Sequence, residues 1–194
     1  AGDGAPTDLD FAGFLLHKDH GHIRAFEVQS GGRTLTPLHT APWVEDKAVI
    51  ADPDVPPNLK YLSGDFFCAP FSTSDVENTI GHGWPANAPW EVLDVEARGD
   101  RTTARYVLTK PVMGARVTKE ITLRGGHPFA YQRHTFDGGH GRVSAASHGM
   151  TRFSGTGRLS FSPKAYADIP SLAQETDPER GRSLFKVPAR FIEL

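Results

Sequence analysis

Three stretches of the sequence concentrate side chains able to do chemistry. In Gly81-His82-Gly83-Trp84-Pro85-Ala86-Asn87-Ala88-Pro89-Trp90 a histidine stands between two glycines and is followed by an asparagine and two tryptophans. Glycine lets a backbone come close to a ligand, and an indole face stacks on the C–H face of a sugar or on another ring. The stretch reads as a binding loop; the same residues also suit a rigid loop whose tryptophans plug the end of a sheet and whose histidine caps a turn. In Ser144-Ala145-Ala146-Ser147-His148-Gly149-Met150 the flanking residues are small, which leaves space beside the imidazole. Imidazoles exchange protons near neutrality, the property a general acid requires. A core histidine bonded to a backbone carbonyl carries the same local signature, and His134 is a weaker candidate of the same kind.

A third stretch, His17-Lys18-Asp19-His20-Gly21-His22 with Glu27 five residues further, is similar to the first metal motif of the cupins, in which imidazoles and a carboxylate hold a divalent metal. Gly64 to Pro70 has the glycine and proline spacing of the second cupin motif but no histidine follows, so no metal is assigned. Histidines at a hairpin tip are more often solvated than ligating. No Gly-x-Ser-x-Gly elbow, Walker loop, post-strand Gly-x-Gly-x-x-Gly or His-Glu-x-x-His occurs, which removes the commonest hydrolase, nucleotide and zinc-protease signatures. Cys68 lies in Phe66-Phe67-Cys68-Ala69-Pro70, an apolar setting that predicts an inert, packed thiol.

The elements that position these groups read as all-β. The chain spends 20 glycines and 15 prolines as punctuation between short β-rich runs, more than average composition supplies. Glu91 to Arg98 meets Arg101 to Thr109 across Gly99-Asp100, and Ala115 to Arg124 meets His127 to Asp137 across Gly125-Gly126, both hairpin connections. Gly138 to Gly141 then turns into Arg142 to Phe153, giving a long antiparallel meander. Ala104, Tyr106 and Leu108 share one face, and Val117, Ile121 and Leu123 line up with Lys119 as the exception. Upstream, Leu9 to His17 and His22 to Gln29 flank a turn, and Gly31-Gly32 leads into Thr34 to Leu38. Pro37 to Pro89 is long, aperiodic and rich in Pro, Asp, Asn and aromatics, and irregular stretches of that length are usually functional. A short helix is predicted after Asp177, which can cap it with Pro178 at its first position, and Ala189 to Leu194 reads as a strand. The predicted fold is an antiparallel β-sandwich with little helix.

Length and charge bound the rest. At 194 residues the chain suits one domain, 1–194. Lys plus Arg number 21 against 23 Asp plus Glu, a net charge of -2, so no nucleic-acid partner is expected. The longest uncharged apolar run is Phe11 to Leu16, far short of the roughly 20 residues a membrane span needs. A single cysteine rules out an internal disulfide and favours a reducing compartment, the cytoplasm.

In their order these pieces resemble the galactose mutarotase-like superfamily, the large β-sandwich of aldose 1-epimerases. The resemblance rests on His82-Gly83 shortly before Trp90, on Val117-Thr118-Lys119-Glu120-Ile121-Thr122-Leu123, and on His148 after a further strand pair. It extends to the opening hairpins and Pro37-Leu38-His39-Thr40-Ala41-Pro42-Trp43. It implies a β-supersandwich and cofactor-free opening of a hexose ring, in which one group protonates the ring oxygen and another takes the anomeric hydroxyl proton. It implies His148 as general acid and His82 as a group that binds and polarises the same small-molecule sugar. Trp84 or Trp90 would be the stacking platform, and Asp65, Asn87 and Arg133 the hydroxyl partners. Two departures stand out. The superfamily's Asn-Arg before His-Gly is replaced by Cys68-Ala69-Pro70-Phe71, and its carboxylate base lies near the end of a chain of roughly 300 residues, beyond normal size variation for a chain of this length. The expectation is a sandwich lacking its C-terminal part, with an unpaired edge that invites a homodimer.

Three functions follow. The first is an aldose 1-epimerase-type isomerase with His82 and His148 sharing a pocket on a concave face. The second is a carbohydrate-binding sandwich that lacks the base, and the third a cupin-like metal-binding protein.

Overall fold

Alternating apolar residues and glycine turns build antiparallel sheets throughout. The computed structural model describes residues 8–11, 14–44, 46–71, 80–158, 160, 162–169 and 189–191; the helix expected after Asp177 lies outside them. The chain divides into two units, Ala1–Ser154 and Gly155–Leu194. The first holds β1 (Asp8–Phe11), β2 (Phe14–His17), β3 (His22–Phe26), β4 (Val28–Ser30), β5 (Arg33–Leu35), β6 (Asp65–Cys68), β7 (Trp90–Arg98), β8 (Arg101–Leu108), β9 (Ala115–Arg124), β10 (Ala130–Gly138) and β11 (Ala146–Gly149). Its helices are α1 (Lys47–Ala51), capped by the Asp46 carboxylate on Ala48 N–H, and α2 (Pro57–Lys60), with one 3-10 turn at Trp84–Ala86. Among the described residues no helix is long and apolar enough to cross a membrane. In the second unit β12 (Ala167–Ile169) pairs with β13 (Ala189–Phe191), and the Arg190 guanidinium lies 4.2 Å from the Tyr166 ring centroid.

The meander from β7 to β10 forms a four-stranded sheet in the order β10-β9-β8-β7. Its tight turns carry Gly99 and Gly126 at positive φ, 58° and 73°, a backbone that other residues adopt at a cost. Ala104, Tyr106 and Leu108 are buried on one face together with Val117, Lys119 and Ile121. The lysine that breaks the apolar pattern is thus inside. On the opposite face Arg105 bonds Asp94 at 2.8 Å and Glu120 at 3.0 Å.

The meander ends one strand earlier than the sequence predicts. Of Arg142 to Phe153 only β11 is a strand, and it leaves the meander to pair with β6 in a five-stranded sheet ordered β1-β2-β3-β6-β11. The stretch Leu9 to His17 is likewise two strands rather than one, with β1 folded back on β2. Strand β6, from the aperiodic stretch, sits between β3 and β11. Its Phe66, Phe67 and Cys68 are all buried, so it shows no alternation of apolar and polar residues, the pattern by which a half-buried strand is recognised.

The two sheets pack face to face. Phe14, Leu16, Ile23 and Phe67 meet Ala104, Tyr106, Leu108, Val117, Ile121 and the Trp90 ring in one apolar cluster; burial of each large side chain contributes about 1.5–3 kcal/mol. Phe66 and Cys68 point the other way and form a second cluster with Ala86. Both faces of β6 are therefore covered, and the far one carries the histidines.

Candidate functional site

On β6 the odd residues face the four-stranded sheet and the even ones face away. Phe67 stacks on His134 of β10 at 3.7 Å, and Asp65 Oδ2 accepts from Gln132 Nε2 at 2.6 Å. Phe66 belongs to the other face, and His148, its partner in the β6–β11 register, shares that face. The His148 ring stacks on Phe66 at 4.6 Å and 10°, and His22 of β3 stacks on Phe66 at 4.2 Å and 13°. The rings continue through His20, 4.4 Å from His22, to His17, 4.0 Å from His20.

At the other end of this row His82 meets His148 edge to face, with ring centroids 5.3 Å apart at 78°. The two histidines that the sequence singled out 66 positions apart are neighbours. Phe71, 40% exposed, lies 6.3 Å from each ring. The backbone at His82 is held in the left-handed region, φ 65°, a strained conformation of the kind that collects at functional sites. Asn87 holds it there: its Nδ2 donates to the carbonyls of Gly81 at 2.9 Å and Gly83 at 2.7 Å, while its Oδ1 accepts from Asn58 N–H at 2.9 Å. Gly83 follows at φ 70° and ψ 175°, and a Cβ there would stand 2.0 Å from the Ala69 carbonyl oxygen. Gly83→Ala is therefore expected to cost about 3 kcal/mol or more, because that backbone region is open essentially to glycine alone and the added carbon meets backbone, and to displace the His82 loop. Urea unfolding and the His82 NMR resonances would report both, and unchanged values would contradict the packing.

Hydrogen bonding assigns the His82 tautomer. His82 Nδ1 lies 2.8 Å from the Phe71 carbonyl oxygen, which only accepts, so Nδ1 carries the proton and Nε2 of the neutral ring keeps its lone pair. His148 Nδ1 is buried with no partner among the described residues, and buried polar atoms are nearly always paired in the working molecule. The pair thus offers one ring with a free acceptor nitrogen and one with an unsatisfied nitrogen.

Other expected site residues stand elsewhere. Trp90 is 1% exposed, donates Nε1–H to the Pro85 carbonyl at 3.0 Å and lies beneath the Lys119 ammonium at 4.4 Å; its ring is core and is no stacking platform. Trp84 packs on the same core with Lys110 over its ring at 5.8 Å. Asn87 spends its amide on the loop, so it positions His82 and offers nothing to a hydroxyl. Asp65 faces the sandwich interior, on the opposite side of β6 from Phe66. Arg133 alternates with Gln132 and His134 on β10 and so projects from the outer face of the four-stranded sheet. In each case the alternation of strand or loop packing sends the side chain away from the His82–His148 pair.

The cupin-like arrangement does not form either. His22 is fully buried, with Nδ1 2.9 Å from the Tyr61 carbonyl and Nε2 3.1 Å from that of Ala86. Burial pushes its pKa down to about 3, against the pull of the two carbonyls. Glu27 is exposed and lines a groove with Phe14 and Phe26, and among the described residues no group of three or more His, Cys, Asp or Glu side chains is placed to hold a metal. Cys68 is fully buried and its thiol is pushed up to about 12, mainly by burial, in line with an inert role. What the sequence missed is Phe71, which follows Pro70 without any motif around it, and the ring row from His17 to His22, which gave only a metal-like spacing.

Comparison with protein families, with curated proteins and with solved structures finds no match for the chain.

Proposed function

We propose that His82 and His148 are the acid–base pair of an aldose 1-epimerase-like reaction on a hexose. The observation that carries this reading is their 5.3 Å edge-to-face contact beside Phe71, with the His82 tautomer set by the Phe71 carbonyl. Protonated His148 gives its proton to the ring oxygen as the C1–O5 bond breaks and its electron pair moves to oxygen. His82 Nε2 takes the anomeric hydroxyl proton, and the O–H electrons become the C1–O1 π bond. After rotation about C1–C2 both protons return and the ring closes on the other face, so the cycle is neutral in protons and electrons and needs no cofactor. Phe71 takes the place of the tryptophans as the apolar wall for the sugar's C–H face.

A second reading, sugar binding without turnover, is favoured by one observation: among the described residues no carboxylate is hydrogen-bonded to either ring, so catalysis depends on His82 alone as base. NMR exchange spectroscopy on the anomeric protons of glucose, galactose and glucose 6-phosphate separates the two. The epimerase reading expects faster exchange with the native chain and at least about tenfold slower exchange with His148→Phe, which keeps the stack on Phe66. Line broadening without exchange leaves the binding reading, and neither effect with any of the three sugars sinks both.

A further inference from the structure

The outer face of the four-stranded sheet gathers three arginines, Arg101, Arg124 and Arg133, that make no ion pair among the described residues. In the register Arg101 stands directly opposite Arg124, and Arg133 opposite Glu120. Arg101, Arg124 and Arg133 line one polar depression of about 360 Å³ together with Glu120, Thr122, Tyr131 and Gln132. Like charges directly opposite each other in a sheet destabilise it, so the Arg101–Arg124 pair is a cost that a bound anion would relieve. Glu120 does not supply that anion. Its carboxylate is taken by Arg105 Nε at 3.0 Å, and Arg105 also holds Asp94 and Glu96. Among the described residues no carboxylate makes an ion pair with Arg101, Arg124 or Arg133. Hydroxyl groups complete the rim: Tyr131 is placed by a 2.8 Å hydrogen bond with His127 Nδ1, and Thr122 by one of 2.9 Å with Thr103.

We propose that this depression binds a phosphate or sulfate group, free or carried by a larger ligand. Guanidinium forks match tetrahedral oxyanions bidentately, and three of them around one depression suit a dianion better than a carboxylate. The site is independent of the sugar chemistry above. Arg133 alternates on β10 with His134, whose ring stacks on Phe67 of the five-stranded sheet, and His82 and His148 lie on the far face of that sheet.

The test is titration of the full chain with inorganic phosphate, sulfate and acetate at low salt, followed by calorimetry and by amide shifts of β8 to β10. Saturable phosphate and sulfate binding is expected, with acetate at least about tenfold weaker. Arg101→Gln, Arg124→Gln and Arg133→Gln should each weaken phosphate by about tenfold, the size of one charge-assisted hydrogen bond. Arg116→Gln removes an equal charge from another exposed position of the same strand, opposite Asp137, and should change affinity by less than about twofold. Arg124→Gln also removes the like-charge pair, so its urea midpoint without phosphate should equal or exceed the native one; lost binding is then not lost folding. Glucose 6-phosphate run beside inorganic phosphate shows whether the group is preferred free or esterified. No saturation, equal binding of acetate, or an equal effect of Arg116→Gln overturns the proposal.

Discussion

Taking the protein from pH 7 to pH 5 is expected to cost about 4 kcal/mol of folding free energy through His20 and His134 alone. His20 is 1% exposed, and both its ring nitrogens are buried without hydrogen-bond partners among the described residues. Burial, followed by the charges of His22 and His17, holds its pKa far below the ordinary imidazole range. His134 lies flat against Phe67, and burial, reinforced by the Lys119 ammonium, pushes it down to about 3. Both rings are neutral in the fold at pH 5 while the unfolded chain protonates them below about 6.5. Stability is therefore full above that pH and falls as the pH drops below it, by about 2 kcal/mol per ring at pH 5. His22 acts in the same direction, since it too is pushed down to about 3. A domain has about 5–15 kcal/mol in total, so acid unfolding should begin near pH 5. Urea titrations at pH 7 and pH 5 measure the loss, and His134→Phe, which keeps the ring stack, should recover about 2 kcal/mol of it. Equal native stability at the two pH values would rule this account out.

Raising the pH from 7 to 9 should add about 2 kcal/mol, because of Lys119. Its ammonium is buried in the sandwich, donating to the Gly21 carbonyl at 2.8 Å and lying 4.4 Å from the Trp90 ring centroid. Burial pushes its pKa down to about 7 in spite of the nearby Asp65 carboxylate. The unfolded chain keeps this proton up to about pH 10.4, whereas the folded chain releases it from about 7. Between those values the unfolded state binds more protons, so stability rises with pH. Cys68 opposes this at higher pH. Its thiol stays protonated in the fold up to about 12, so the stabilisation it contributes is lost as the unfolded thiol ionises above about 9. Maximum stability should fall near pH 9. Lys119→Met keeps the apolar stem in the core, and its stability should stay flat between pH 7 and 9 except for the small Cys68 contribution. A variant that still gains about 2 kcal/mol would place the titration on another group.

These buried groups fall in two layers. Lys119, His134 and Asp65 occupy the space between the two sheets, while His82, His148 and the row from His17 to His22 occupy the far side of the five-stranded sheet. Lys119 and His134 thus titrate in a different layer from the proposed chemistry, whereas His20 and His22 titrate in the same ring row as His148. Measuring activity and stability across the same pH range therefore separates a site that has changed protonation from a fold that has begun to open.

Short-range patterns were enough to read much of this protein. Alternation in Arg101 to Leu108 and Ala115 to Arg124, with glycines between the runs, is local, because side chains on a strand point to opposite faces in turn and a hairpin is closed by its own residues. His82 and His148 could be singled out as candidates for the same reason, since their neighbours are small or glycine, and the structure brings their rings together. Tertiary structure alone decided which strands became partners. Strand β11 left the meander for β6, 78 residues earlier at the Ala146–Cys68 pair, and β6 hid because both its faces are buried. The same long-range pairing sent Asp65 to the side of the sheet opposite His148, and the packing of the two sheets against each other buried the Trp90 ring. Which face a residue presents is local, but what that face meets is settled by register between distant segments and by which surfaces exclude water together.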